Sequence, residues 1–515
     1  MLTAILRRLI PALAVWVLAP AGAPAQSLQD LQVDVILDPA LPAQPPGRLL
    51  IVLAEGSAGV EPRRLIARTG SDAVPTLGVD APALAPGGRV TVEGAVASHF
   101  PLAEVATLPA GEYRVQAVLR TNRDLRAFDA PGTLFSDVVQ VSLGPERAGS
   151  ATLTLAHRLP EESLPPSTRF LRFVKLRSDL LSAFHGRPIY LRAGVILPVG
   201  FDREPQRRYP LRVRIGGFGV RYTAVQSLMR TGSPFRAAWT DQDADAPRML
   251  LLHLDGAGPF GDPYQVNSAN NGPFGDAVTQ ELIPHVEREF RGVGTRDARV
   301  LDGSSTGGWV SLALQMFYPD VFNGAWASCP DSVDFRAFQR VDIYGDASAY
   351  LDERGGEQAS ARNLDGSVRF TMRHELRMEN VLGAGGNWAT SGRQWGAWNA
   401  AYGPRGADGQ PVPLWDPQTG RIDPIVARHW ERYDLRLQLE REWDTLAPKL
   451  DGTLNIWVGD MDNYFLNEAV HLFEQFLGTR PSLDARVAYG QGRGHCWTGI
   501  SPGEMMREMA STVTQ

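Results

Sequence analysis

The pentapeptide Gly303-Ser304-Ser305-Thr306-Gly307 constrains the fold of this chain more than any other stretch. An apolar run, Ala298 to Asp302, precedes it, and a segment with apolar positions at Val310, Ala313, Leu314 and Phe317 follows. That order reads as strand, sharp turn and helix, and G-x-S-x-G at such a turn exposes the hydroxyl of its central serine. The small glycines let the turn close without a steric clash, and the helix N-terminus offers backbone N–H groups to a developing oxyanion. In a chain with 52 glycines the bare pattern arises by chance about 0.3 times, so the flanking strand and helix carry the reading.

The rest of the chain fits around that turn. From residue 169 onward, strand-like runs (190–198, 210–215, 249–254, 298–302, 324–328, 453–458, 485–489) alternate with helical periods at 277–290, 307–317 and 466–477. This rhythm predicts an α/β domain around a mostly parallel sheet over residues 169–515. Six of the twelve tryptophans, at 388, 395, 398, 415, 430 and 443, fall in an interruption at about 330–451. A stretch this long must carry its own packing, and its tryptophans read as the core of the insert ahead of a lining for a pocket. Residues 26–158 show short Val- and Leu-rich runs between Pro and Gly, with alternation at Tyr113, Val115, Ala117 and Leu119. They predict an all-β, immunoglobulin-like sandwich, joined by a proline-rich linker at 159–168.

Arg7 and Arg8, an apolar run from Leu9 to Leu18 and the triplet Ala23-Pro24-Ala25 have the order of a cleavable signal peptide covering residues 1–25. The apolar run falls short of the roughly 20 residues of a spanning helix, and the mature chain shows no longer one. The expected location is therefore periplasmic or extracellular. A formal charge of −6, with no basic block, argues against nucleic acid as a partner. Neither the two cysteines nor any Cys/His spacing resembles a metal site, and no cofactor is called for.

A serine nucleophile needs a base, and the base an orienting acid. Of the histidines beyond Ser305, His374 and His429 lie in the insert and His471 in a helical run. His495 follows the last strand through the loop GQGRG, where a catalytic base belongs. The acid should follow the preceding strand, in Gly459-Asp460-Met461-Asp462. Asp462 is favoured because it lies further into the loop, with Asp460 as the alternative. The oxyanion donors are expected at the N–H of Thr306 and at the loop Gly216-Gly217-Phe218-Gly219, through Phe218 or, as the alternative, Gly217. Cys329 and Cys496 each follow a predicted strand, and Cys496 adjoins His495. A disulfide between them and two separate buried thiols are both open readings.

The runs ILPVGFD, YPLRVRIGGFG, NSANNGPFGDAVTQELIPHVEREF, GSSTGG, VGDMD and GHCW together resemble the putative-esterase family of α/β-hydrolases, which includes esterase D, enterochelin esterase-like proteins and feruloyl esterase domains. The resemblance spans roughly residue 169 to the C-terminus. It implies a Ser/Asp/His triad on Ser305, Asp462 and His495, with a small-molecule or glycan-linked ester as substrate. The glycine loop IGGFG, where the family usually has HG, and the tryptophan-rich insert depart from the pattern and leave the substrate open. The same triad also serves acyltransferases and peptidases. A non-catalytic glycan- or protein-binding protein would be expected to have lost part of it.

Overall fold

The computed structural model describes residues 26–27, 31–102, 107–143, 149–240, 248–480 and 482–513. The signal peptide expected at 1–25 lies outside the described residues. An eight-stranded sheet organises the larger part of the chain. Its strands are β1 (Leu171–Ser178), β2 (Ile189–Ile196), β3 (Leu211–Ile215), β4 (Leu250–Leu254), β5 (Arg299–Ser304), β6 (Ala325–Ser328), β7 (Leu454–Gly459) and β8 (Ala485–Gly490), in the spatial order 1-2-4-3-5-6-7-8. The pairs β1·β2 and β2·β4 are antiparallel, and every later pair is parallel. Strands β4 and β6 are buried along their whole length, as expected where helices cover both faces of a sheet.

Strand β1 was not expected. Its sequence, LRFVKLRS, places Arg172, Lys175 and Arg177 along an edge strand, where one side of the ladder is open and charge is tolerated. The helix expected at 277–290 forms, with a π-helical stretch over Ala277–Leu282 that runs into an α-helix at Ile283–Phe290. Pro284 sits where the π-helical stretch passes into the α-helix, a widened turn that accommodates a residue with no N–H to donate.

Among the described residues the N-terminal strands form one hydrogen-bonded set of nine, eight along a single path and the ninth, Val139–Leu143, branching off Gly111–Arg120. Gly47–Glu55 pairs antiparallel with Thr76–Ala81 and with Gly111–Arg120, while Gln32–Leu37 pairs with Arg89–Glu93 and, in parallel, with Ser150–Arg158. The short strand Leu134–Ser136 joins these two groups. Alternate residues from both, such as Val33 and Val35 with Leu49 and Ile51, share one core. The opposite face of the central strand, Leu50 and Val52, packs with Val118 on Met378, Val381 and Leu382 of the insert. The β unit is therefore seated on the insert, and Arg48 Nε donates to Val381 O at 2.9 Å.

Within the insert, Trp388, Trp395, Trp398, Trp415 and Trp430 are all buried. Trp388 stacks on Trp415 at 4.8 Å, and Trp395 meets Trp398 edge-on at 4.7 Å. The conspicuous run at 267–276 clamps this unit to the sheet, since Asn270 Nδ2 donates to Ala400 O and Gly403 O. Among the described residues no helix is long and apolar enough to cross a membrane.

Candidate active site

Strand β5 ends at Ser304 and helix α1 (Thr306–Phe317) begins two residues later, so Ser305 makes the whole turn with φ 58° and ψ −125°. A non-glycine residue at such angles costs on the order of 1–3 kcal/mol and must be held by its surroundings. Here the hold is close packing of backbone. A Cβ added at Gly307 would lie 2.2 Å from Ile215 O, so only glycine lets the helix start against β3. Below the turn, Asp302 takes a bidentate pair from Arg212 at 2.7 and 2.8 Å, with Arg214 adding a further contact, and this ties β5 to β3.

His495 Nε2 lies 3.1 Å from Ser305 Oγ, and His495 Nδ1 lies 2.8 Å from Asp462 Oδ2. Asp462 is fully buried, and its other oxygen accepts from the Tyr464 amide at 2.9 Å. The structure thus brings Ser305, His495 and Asp462 together. Asp460 points elsewhere: its carboxylate accepts from Gly492 N at 2.7 Å and ties down the histidine loop. The two loops are stitched side by side, with Met461 N bonded to Arg493 O, and a Cβ at Gly459 would stand 2.1 Å from that same oxygen. Asn463 Oδ1 accepts from His495 N at 3.0 Å, and the Tyr464 ring meets the imidazole edge-on at 4.9 Å.

Burial pulls the imidazole of His495 down, but the Asp462 carboxylate and the Cys496 thiol outweigh it and carry its pKa up to about 10. Cys496 is in turn lowered to about 6, first by its contact with Cys329 and then by His495. Both cysteines are free thiols with Sγ atoms 2.7 Å apart, longer than the roughly 2.05 Å of a disulfide. Their sulfurs and a His495 ring nitrogen lie within 4.8 Å of one another, a grouping that could hold a metal ion and that the sequence spacing does not reveal. Both ring nitrogens of His495 already face Asp462 and Ser305, so a metal there would displace one of them.

Of the expected oxyanion donors, Thr306 opens α1, where the helix supplies no acceptor for its N–H. Gly217 lies against Ser305, a Cβ built on it standing 3.7 Å from Ser305 Cβ. Phe218 lines a cavity of about 310 Å³ together with Ser305 and His495. Trp398 reaches the same cavity from helix α2 (Gln394–Tyr402) of the insert, and Ala67 and Thr69 reach it from the N-terminal β unit.

Sequence reasoning missed Asp331. It follows β6, is fully buried, and places Oδ1 3.4 Å from Ser305 Oγ. Its Oδ2 accepts from Tyr264 OH at 2.9 Å, Thr306 Oγ1 at 3.0 Å and Trp398 Nε1 at 3.0 Å. Burial pushes its pKa up to about 6, against these donors. A carboxylate just past the C-terminal end of a parallel strand was the signal that could have found it.

Residues 190–405 match the family model described as "Putative esterase". Over that stretch, which is less than half of the chain, it is similar to this esterase family, a likeness that supports a carboxylic-ester hydrolase. No curated protein matches the chain. Among solved structures, it is similar to a ferulic acid esterase, at 13% identity and a TM-score of 0.41 over 66% of this chain and 98% of the other. It is also similar to the fluorophosphonate-binding serine hydrolase FphF of Staphylococcus aureus, at 14% identity and a TM-score of 0.36 over 67% of this chain and 98% of the other. An S-formylglutathione hydrolase from Agrobacterium tumefaciens aligns at 13% identity and a TM-score of 0.35, over 68% and 98%.

Proposed function

We propose that this esterase is an exported serine enzyme that hydrolyses a small-molecule or glycan-linked carboxylic ester through an acyl-enzyme. The observation that carries the reading is the chain of hydrogen bonds from Asp462 through His495 to Ser305, at 2.8 and 3.1 Å. Ser305 Oγ attacks the ester carbonyl as its proton passes to His495 Nε2, while Asp462 stays ionised and holds the imidazole by Nδ1. The tetrahedral oxyanion accepts from the N–H groups of Thr306 and Phe218, with Gly217 as the alternative second donor. When the C–O bond breaks, the leaving alkoxide takes the proton from Nε2 and the acyl group stays on Ser305. Water then repeats the sequence and releases the acid. A cavity of about 310 Å³ beside Ser305 is large enough for a compact ester.

The order of charged, apolar and small residues in the first 25 positions supports export to the periplasm or the exterior. We assign residues 26–158 to the immunoglobulin-like sandwich, 159–168 to the linker and 169–515 to the hydrolase with its insert. Tyr113 OH donates to Pro109 O, four residues upstream, a bond of the kind that closes the tyrosine corner of such sandwiches. In an oxidising compartment Cys329 and Cys496 pair by exchange with an oxidised dithiol carrier, pinning the histidine loop to the end of β6.

The test is turnover of short-chain p-nitrophenyl esters, with labelling by a fluorophosphonate probe. The wild type hydrolyses the esters and takes the label, and Ser305→Ala does neither. Equal rates in the two proteins would overturn the assignment.

A further inference from the structure

A second cavity, of about 340 Å³, lies where the N-terminal β unit meets the insert, away from Ser305 and His495. Arg48, Arg120, Arg123 and Arg126 line it, and Asp80 is the one acid among its lining residues. That acid is already committed: one oxygen accepts from Arg48 Nη1 at 2.9 Å and the other from the Gly385 amide at 2.7 Å. Arg126 spends one nitrogen on Thr390 O, at 2.6 Å. Arg120 has no side-chain hydrogen bond or ion pair among the described residues. Its guanidinium lies over the Phe128 ring at 4.9 Å, and its Nη1 is buried without a partner, as is Arg48 Nη2. Burial first, and then the charges of Arg126, Arg393 and Arg48, pull the pKa of Arg120 down to about 9.

Buried cations are ordinarily paired, because removing a charge from water is costly unless an opposite charge and hydrogen bonds replace the hydration. Here the surroundings supply more positive charge and spare N–H donors. We propose that this cavity is a binding site for a small polyanion bearing carboxylate or phosphate groups, held by Arg48, Arg120, Arg123 and Arg126. Guanidinium forks match the oxygens of either group, and the volume accommodates a molecule about the size of citrate. Because Leu382 and Ala384 of the insert and Gly47 and Ala81 of the β unit share the lining, an occupant bridges the two units. The site is independent of the ester chemistry proposed for Ser305.

Isothermal titration and thermal unfolding of the full chain test it, with inorganic phosphate and citrate as probes and sodium chloride at matched ionic strength as the control. Saturable binding and a Tm rise of several degrees with at least one probe, absent with chloride, are expected, and the two probes separate a phosphate-type from a carboxylate-type ligand. Arg120→Gln should weaken binding at least tenfold and raise the Tm of the anion-free protein, because a cation among like charges has been removed. Arg123→Gln, at an exposed position on the rim, gives a second variant that spares the interior and should weaken binding severalfold. Turnover of a short p-nitrophenyl ester serves as the check on folding. A response no larger than that to chloride, or full binding by both variants, would overturn the proposal.

Discussion

The two cavities hold their charges in opposite ways. Beside Ser305, the buried carboxylates of Asp462 and Asp331 are met by hydrogen bonds from His495 and Tyr464 in the first case and from Tyr264, Thr306 and Trp398 in the second. In the arginine-lined cavity four arginines face one acid, and among the described residues Arg120 has the Phe128 ring and neighbouring arginines but no side-chain hydrogen bond. Carboxylates already satisfied in the right geometry are preorganised to act on a neutral group brought to them. A site with spare buried donors is completed by a ligand that carries the missing charge.

The largest break in this contrast comes from cutting the chain of hydrogen bonds at its buried end. Asp462→Asn should lower kcat by about 10⁴-fold, because the imidazole loses its orienting carboxylate. Asp460→Asn, which loosens only the contact to Gly492, should leave kcat within about tenfold of wild type. Rates on the same p-nitrophenyl ester distinguish the two aspartates, and equal losses would show that the sequence alternatives were rightly left open.

A smaller effect concerns the sulfur beside the base. The Cys496 thiolate favours the charged imidazolium of His495, so Cys496→Ser removes that support and lowers the imidazole pKa. The neutral base then appears at lower pH, and the acid limb of the kcat/KM profile moves down by about one unit. Oxidation of Cys329 and Cys496 to a disulfide removes the thiolate as well and should move the limb in the same direction.

The smallest effect is on stability. Burial raises the folded-state pKa of Asp331 to about 6, above the 3.8 of an unperturbed carboxyl, so the folded chain binds its proton more tightly than the unfolded chain. Its stabilising contribution is present in full below about pH 4 and is lost as the pH climbs to about 6. Asp331→Asn has no such proton to lose. Urea midpoints measured from pH 4 to pH 7 should therefore fall less in the variant than in the wild type.

Much of the catalytic unit was legible because its signals are local. Strands β2 to β8 announced themselves as apolar runs, and the turn at Ser305 carries its own glycines. His495 and Asp462 could be ranked by where they follow their strands, although choosing Asp462 over Asp460 needed side-chain direction, which is set by the bond from Met461 N to Arg493 O and the turn after it. Strand β1 escaped because an edge strand keeps its charges. The insert tryptophans read as a core, as five of them are, yet Trp398 also reaches the cavity and holds Asp331.

By itself, then, the sequence determined the type of domain, the turn that exposes Ser305 and the short set of residues able to serve it, because each depends on neighbours a few positions apart. Only the tertiary structure decided that Asp331 stands against Ser305, that Ala67 and Thr69 of the β unit line the same cavity, and that four arginines share a second one. Those juxtapositions come from the packing of the β unit and the insert on the sheet, between segments hundreds of residues apart, and local pattern carries no record of such contacts.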